Sequence, residues 1–282
     1  MAGVLITSMN MSSEQSSNPV RSHLAQFVAV LAAISTTFLV SSASAQGNRY
    51  SVERKAQASS SGARRIRVEN GSGRLIINGK QGVSAVSVTA MVRGSSQSAV
   101  DAVKLITERN GDEIVVKADR PDNGRSWDEN VSVDLTVEVP SNLQLDVSDG
   151  SGGAQIDNVG PLTVDAGSGG VRISNVNGGA DVTSGSGGAR LSSVHGDVAV
   201  SSGSGGITIA GVTGSVNVRD AGSGGIHVSQ VTGSLHLGSI GSGSLNADNI
   251  GGDLTLDSKG SGSVSYTNVK GHVSVPKRGR DW

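Results

Sequence analysis

The chain repeats one short phrase seven times between residues 150 and 275. The phrase is Gly-Ser-Gly followed by Gly or Ser, and successive copies begin 17 to 19 residues apart. The copies begin at Gly150, Gly167, Gly185, Gly203, Gly222, Gly241 and Gly260. A unit this short cannot bury an apolar face by itself, so it must stack on its neighbours. The repeat therefore predicts a series of stacked coils.

Four apolar columns keep the same phase in every copy. The first two columns are two residues apart, which is the period of a β-strand. They comprise Ala154, Val171, Ala189, Ile207, Ile226, Leu245 and Val264, and then Ile156, Ile173, Leu191, Ile209, Val228, Ala247 and Tyr266. The third column begins at Val159 and the fourth at Val164. We expect all four columns, including Tyr266, to face a core, and the polar residues between them to face outward.

The same residue type returns at the same phase, which favours parallel coils stacked in register over antiparallel hairpins. We predict an all-β fold, a parallel β-solenoid of about seven coils, roughly 30–35 Å long at about 4.8 Å per coil. The position before the third column is rich in amides, and these are predicted to form a ladder from coil to coil. This column comprises Asn158, Asn175, Ser193, Gly211, Gln230, Asn249 and Asn268. The glycines of the phrase are expected to supply positive φ angles and tight turns.

Residues 1–45 are predicted to be a secretory signal peptide. Arg21 precedes an apolar run at residues 24–40, and the small residues Ala43 and Ala45 follow it, which predicts cleavage after Ala45. The alternative is an uncleaved membrane anchor, for which the 17-residue run with its internal Gln26 is short and polar. Export to the periplasm, the outer envelope or the cell surface is the expected location.

Residues 46–147 are predicted to form a strand-rich capping region with one short helix within residues 95–107. Its Gly71-Ser-Gly turn repeats the later phrase, which predicts a degenerate start of the same solenoid that covers an open end. Residues 121–130 are predicted to be a polar loop. The solenoid itself is placed at residues 148–275, and residues 276–282 are a polar tail that could close the other end.

The order of these features carries a resemblance. A strand-rich opening and a short helix are followed by Val-Asp-Leu-Thr-Val-Glu-Val-Pro at residues 133–140, Leu-Asp-Val at residues 145–147, and then the glycine phrases. This order resembles the bacterial putative-adhesin family, whose members are exported β-strand-repeat proteins of unknown function. The resemblance extends from about Ile66 to Val275. It implies an exported β-repeat protein, and the family has no established catalytic residues to carry over to this chain.

Composition and spacing argue against several kinds of site. The chain has no cysteine and a formal net charge of −1, so we expect no disulfide, no cysteine metal site and no binding of nucleic acid. Calcium-binding β-rolls need an aspartate at a fixed place in each turn, where this chain has Ser, Gly or an apolar residue. No Gly-Lys-Ser/Thr sequence follows the glycines, so no phosphate loop is expected. We predict no metal and no cofactor.

One outward column is the candidate binding face, and it comprises Arg172, Arg190, Thr208, His227 and Asn246. We expect a non-enzymatic adhesin or envelope-associated scaffold that binds an envelope or surface protein or glycan through many weak contacts. Contact with a membrane is expected only through an uncleaved signal, and self-association stays open.

Two alternative functions also stay open. A polysaccharide-active β-helix enzyme would need acids and a base gathered on one face. Asp181, His236, Arg219 and Asp257 lie in nearby outward columns but alternate with neutral residues, so no catalytic cluster is expected. An envelope-stress sensory or regulatory accessory protein is the second alternative.

Overall fold

The computed structural model describes residues 50–119 and 131–276 of the chain. Most of these residues lie in β-strands, and one short helix interrupts them. The predicted signal peptide, the predicted loop at residues 121–130 and residues 277–282 of the predicted tail lie outside the described residues. Within the described ranges, no helix is long and apolar enough to cross a membrane.

Two sheets are built from the described strands, and each has 11 strands. Sheet A contains, in spatial order, β1 (Tyr50–Ser59), β4 (Ala85–Gly94), β7 (Val131–Pro140), β3 (Leu75–Lys80), β9 (Ala154–Val159), β11 (Val171–Val176), β13 (Ala189–Val194), β15 (Ile207–Val212), β17 (Ile226–Val231), β19 (Leu245–Ile250) and β21 (Val264–Val269). Sheet B contains β5 (Lys104–Asn110), β6 (Glu113–Asp119), β2 (Arg65–Asn70), β8 (Gln144–Asp149), β10 (Leu162–Ala166), β12 (Ala180–Ser184), β14 (Val198–Ser202), β16 (Val216–Ala221), β18 (Leu235–Ile240), β20 (Leu254–Lys259) and β22 (Val273–Ser274).

Each coil of the repeat contributes one strand to each sheet. A strand of sheet B leads through the glycine phrase into a strand of sheet A, and a second turn leads back to sheet B. From β8 and β9 onward, each strand pairs in parallel with the equivalent strand of the next coil, so that Val171 lies beside Ala154 and Ala189. The predicted parallel β-solenoid of about seven coils is confirmed, and it has two faces.

The N-terminal region continues both sheets but changes strand direction. The β2–β3 coil lies between the β6–β7 coil and the β8–β9 coil, so stacking order departs from chain order. Beyond it, β4 is antiparallel to β1 and β7, and β5 is antiparallel to β6. Helix α1 (Gln97–Ala102) connects β4 to β5. The helix is shorter than the predicted segment because β5 begins at Lys104 and pairs with β6, and this pairing overrides the helical pattern.

The core lies between the two sheets and is formed by the predicted columns. Ile156, Ile173 and Leu191 of sheet A are at most 1% exposed, as is Val182 of sheet B. Side chains of both sheets form one continuous hydrophobic cluster. The last coil is the exception, since Tyr266 is 47% exposed. The prediction that Tyr266 packs in the core is wrong, because no described sheet A strand stacks beyond β21 to cover its column.

The amide-rich column has a conformational role that the predicted ladder does not describe. Its six non-glycine members adopt left-handed φ angles of 54–57°, and Gly211 has a φ of 70°. In each strand this left-handed residue breaks the alternation of inward and outward side chains. The next inward residue therefore comes three positions after the previous one instead of two, as Val176 follows Ile173. The amide of Asn175 donates to a carboxylate of Asp157 rather than to another amide. Asparagine suits this site because it tolerates the left-handed region better than most residues.

The glycines of the phrase allow coils to approach closely. In the seven phrases, all of which are described, φ lies in the left-handed region at Gly153 alone. A Cβ on Gly187 would lie 2.1 Å from the carbonyl oxygen of Gly169, and one on Gly205 would lie 2.0 Å from that of Gly187. The expectation that these glycines chiefly supply positive φ is therefore wrong. The glycines at the first and third positions of the phrase are required because adjacent backbones leave no space there for a side chain.

Candidate functional site

The structure places the five predicted face residues in one column on the outer surface of sheet A. Arg172 lies beside Arg190, which lies beside Thr208, and His227 and Asn246 continue the same register on β17 and β19. Four of the five are exposed, and Thr208 is partly buried. Adjacent members are one coil apart, which is about 4.8 Å in a sheet. A partner lying along the solenoid would meet them in sequence.

Positive charge is concentrated at one end of this column. Arg172 and Arg190 are direct neighbours in the sheet. Within the described ranges, neither of them has a carboxylate within 4.0 Å, the limit for an ion pair. Like charges placed opposite one another in a sheet are unfavourable. This face therefore presents two guanidinium groups that are free to bind an external acceptor.

A groove runs beside the two arginines, where the glycine phrases join sheet A. Its volume is about 440 Å³, and we call it the glycine groove. It is lined by Arg74, Gly152, Gly153, Ala154, Gln155, Gly170, Val171, Arg172, Gly188, Ala189, Arg190, Gly206 and Thr208. Because several lining residues are glycines, a ligand can approach the backbone closely while the arginine side chains hold it from one side.

Two carboxylates in the repeat part of the same face are bonded to neutral donors. Asp157 accepts hydrogen bonds from the Ser174 hydroxyl at 2.6 Å and from the Asn175 amide at 2.8 Å. Asp248 likewise accepts from Thr267 and Asn268 of the next coil. These bonds link neighbouring coils. Neither Asp157 nor Asp248 forms an ion pair with Arg172 or Arg190.

Sheet B carries a second constellation that the sequence reasoning did not expect. Arg219 donates two hydrogen bonds to the carboxylate of Asp181, at 2.9 and 2.6 Å, although the two residues are two coils apart. The register shifts between Val200 and Ser201, where β16 contains one residue more than β14. Such a bulge redirects a side chain. Sequence spacing alone gave no sign that Arg219 would reach back to Asp181.

The other two residues of this constellation also come together. The His236 Nε2 atom lies 3.3 Å from a carboxylate oxygen of Asp257. Asp181 and His236 line a groove of about 600 Å³ where the second turns join sheet B. These four residues therefore form two pairs, and the expectation that they make no catalytic cluster stays a prediction. The Asp181–Arg219 pair raises the pKa of Arg219 through the hydrogen bonds to Asp181.

A buried polar pair lies near the first glycine phrase and was also missed. Asp149 is 3% exposed and Asn70 is 4% exposed, and the amide of Asn70 donates to Asp149 at 3.1 Å. Burial raises the pKa of the Asp149 carboxyl, and the hydrogen bonds from Asn70 and the Gly153 backbone oppose this only in part. One oxygen on each side chain, Asn70 Oδ1 and Asp149 Oδ2, has no hydrogen-bond partner in the described residues. Both residues directly precede a glycine phrase, and this shared phase was the available sequence signal.

The described part of the chain contains no cluster of side chains that forms a metal site. Within residues 50–119 and 131–276, no three or more histidine, aspartate or glutamate side chains are grouped to hold an ion. The predicted absence of a metal and of a cofactor stays a prediction.

Comparison with known proteins finds similar folds among solved structures. A "putative adhesin" from Bacteroides fragilis is 14% identical, with a TM-score of 0.49 over 77% of this chain and 97% of its own. A "putative lipid binding protein" from Parabacteroides distasonis is 18% identical, with a TM-score of 0.44 over 80% of this chain and 97% of its own. A "putative cell adhesion protein" from Clostridium sporogenes is 12% identical, with a TM-score of 0.35 over 79% of this chain and all of its own.

Several of the solved structures to which this chain is similar are named putative adhesins, which is the name of the family that the sequence resembles. No family model matches the chain, and no curated protein does. Similarity at these identities concerns the fold and does not extend to a ligand.

Proposed function

We propose that the protein is an exported, non-enzymatic β-solenoid that binds a cell-envelope or surface partner through the outer face of sheet A. The observation that carries the proposal is the register of Arg172, Arg190, Thr208, His227 and Asn246 in one exposed column. The predicted signal peptide supports export. Adhesion is the role named for similar solved structures, but the proposal rests on the geometry of this face.

The fold supports binding by repetition. The core columns hold nearly the same residue type in each coil, while the outer column changes from arginine to threonine, histidine and asparagine. Each outer side chain offers a weak polar contact, and a rigid array makes the later contacts intramolecular once the first has formed. The array is preorganised because its strands are paired on both sides, so binding orders little backbone.

The test is retention of material from a cell-envelope extract by the immobilised full chain. The variant carries Arg172→Ser and Arg190→Ser, and the charge-matched control carries Arg64→Ser and Lys104→Ser on the sheet B side. Far-ultraviolet circular dichroism establishes that all three proteins are folded. We expect the unaltered chain and the control to retain the same component and the face variant to lose it. Equal retention by all three would exclude this face, and retention by none would exclude the binding role.

A second candidate function is favoured by the pairs on sheet B. Asp181 with Arg219, and His236 with Asp257, place carboxylates beside bases on one face, as a polysaccharide lyase requires. Against this, Arg219 engages both oxygens of Asp181, so that carboxylate is already hydrogen-bonded within the protein. The assay is cleavage of polyuronate or peptidoglycan by the unaltered chain and by Asp257→Asn. Turnover that the substitution abolishes would favour the enzyme over the binding protein.

A further inference from the structure

We propose that the glycine groove binds a linear polysaccharide that carries carboxylates, with Arg172 and Arg190 as the carboxylate-binding residues. This inference rests on the proposed function and names the chemical class of its partner.

The positive charge of the two arginines beside the groove favours an anionic ligand. Four other arginines on the described strands pair with acidic side chains, as Arg65 does with Asp146 and Arg219 with Asp181. Arg172 and Arg190 differ because, in the described residues, no carboxylate lies close enough to pair with either. A guanidinium group presents a planar pair of donors that matches a carboxylate. Anionic groups bound between the two would also relieve their mutual repulsion.

The direction in which the groove runs favours an extended ligand. Its lining runs from Arg74 on the β2–β3 coil through successive phrases to Thr208 on β15. It therefore crosses the coils along the stacking direction, and the arginines stand one coil apart, about 4.8 Å. A small anion would fill only a fraction of this length. A polymer with a charge on each repeating unit can engage both arginines at once.

The state of the backbone favours a polysaccharide over a peptide. The amide of Val171 donates to Gly188 at 2.8 Å, and that of Ala189 donates to Gly206 at 2.9 Å, so these groups are already used between coils. The groove lies on a paired face and offers no free strand edge, which a peptide needs to add a strand. Gln155 and Thr208 line the groove as well. Their neutral side chains can donate to and accept from sugar hydroxyls.

The experiment measures equilibrium binding of oligogalacturonate to the full chain, with neutral dextran and polyglutamate as comparison probes. The same variants are used, Arg172→Ser with Arg190→Ser and, as control, Arg64→Ser with Lys104→Ser. We expect oligogalacturonate to bind with an affinity that falls as salt rises. The groove variant should lose at least tenfold in affinity while the control stays within twofold, and dextran and polyglutamate should bind at least tenfold more weakly.

Each other outcome overturns the inference. Absence of oligogalacturonate binding, or equal loss in the groove variant and the control, excludes the groove as its site. Equal binding of polyglutamate, lost in the same variant, would assign the groove to an acidic peptide instead. The proposed function can survive failure of this inference. It stands if the envelope extract yields a partner that needs Arg172 and Arg190 while oligogalacturonate does not bind.

Discussion

Two adjacent glycines in one phrase should respond in opposite ways to the same substitution. Gly224 and Gly225 lie in the turn between β16 and β17, and neither has a left-handed φ. A Cβ on Gly224 would lie 2.2 Å from the Gly205 oxygen and 2.6 Å from the Gly206 nitrogen. A Cβ on Gly225 would have its nearest neighbour at 4.0 Å, the backbone oxygen of Ser244.

The expected magnitudes follow from these distances. Carbon contacts are favourable at about 3.5–4.0 Å, so Gly224→Ala overlaps backbone atoms by more than about 1 Å and the coils must separate. Overpacking of this kind costs about 3 kcal/mol or more, because backbone held in register cannot move aside like a side chain. Gly225→Ala meets no overlap and restricts the unfolded chain, which stabilises by about 0.4–1 kcal/mol. The two variants should differ by at least about 3 kcal/mol, more than a hundredfold in the folding equilibrium.

The assay is urea unfolding of both variants followed by far-ultraviolet circular dichroism, with the slopes compared before the midpoints are converted to free energies. The chain itself contains a related natural change, since Ser244 and Ser263 replace the glycine at the fourth position of their phrases. The close-approach reasoning is refuted if Gly224→Ala stays within about 0.5 kcal/mol of the unaltered chain. Equal destabilisation by both variants would refute it as well.

Three further perturbations test other parts of the structure. Because burial raises the pKa of Asp149, the stability that its protonated form contributes is present below the unfolded pKa of about 3.9 and is lost as pH rises through the folded pKa. Asp149→Asn should therefore gain stability relative to the unaltered chain between pH 4 and pH 7, as measured by urea unfolding at both pH values, and a constant difference would contradict this. Asn175→Val places a β-branched residue at a φ of 54° and should cost about 1–2 kcal/mol in the same measurement, whereas Gln155→Val on an exposed extended position should cost less. Arg219→Ala removes a pair in which both side chains are over one third exposed, so thermal unfolding should report a loss below about 1 kcal/mol, and a larger loss would show that the pair holds coils together.

The solenoid could be predicted because its energy is dominated by a repeated pattern. Residues such as Ile173 and Leu191 recur at one phase, and parallel stacking buries all of them with the same local structure. The candidate face follows by the same reasoning, since residues between core columns must point outward. The periodic part of the site was therefore available from spacing alone.

The features that were predicted wrongly or missed depend on contacts between coils, which the spacing of residues does not encode. The left-handed conformation at Asn175 was hidden because an amide column fits both a side-chain ladder and a backbone bulge. The reach of Arg219 to Asp181 depends on an extra residue in β16 and on side-chain length across two coils. The buried Asp149–Asn70 bond joins residues 79 positions apart, and only the insertion of the β2–β3 coil beside β8 brings them together.

The sequence by itself determined the period, the strand pairs, the core columns and the outward column of Arg172 and Arg190. It could do so because each of these features depends on alternation within one coil, repeated in register. Only the tertiary structure decided the number of faces, the order of the first coils, the need for Gly224 rather than Gly225, and which charges are paired. These depend on distances of a few ångströms between backbones and side chains of different coils, which no local pattern specifies.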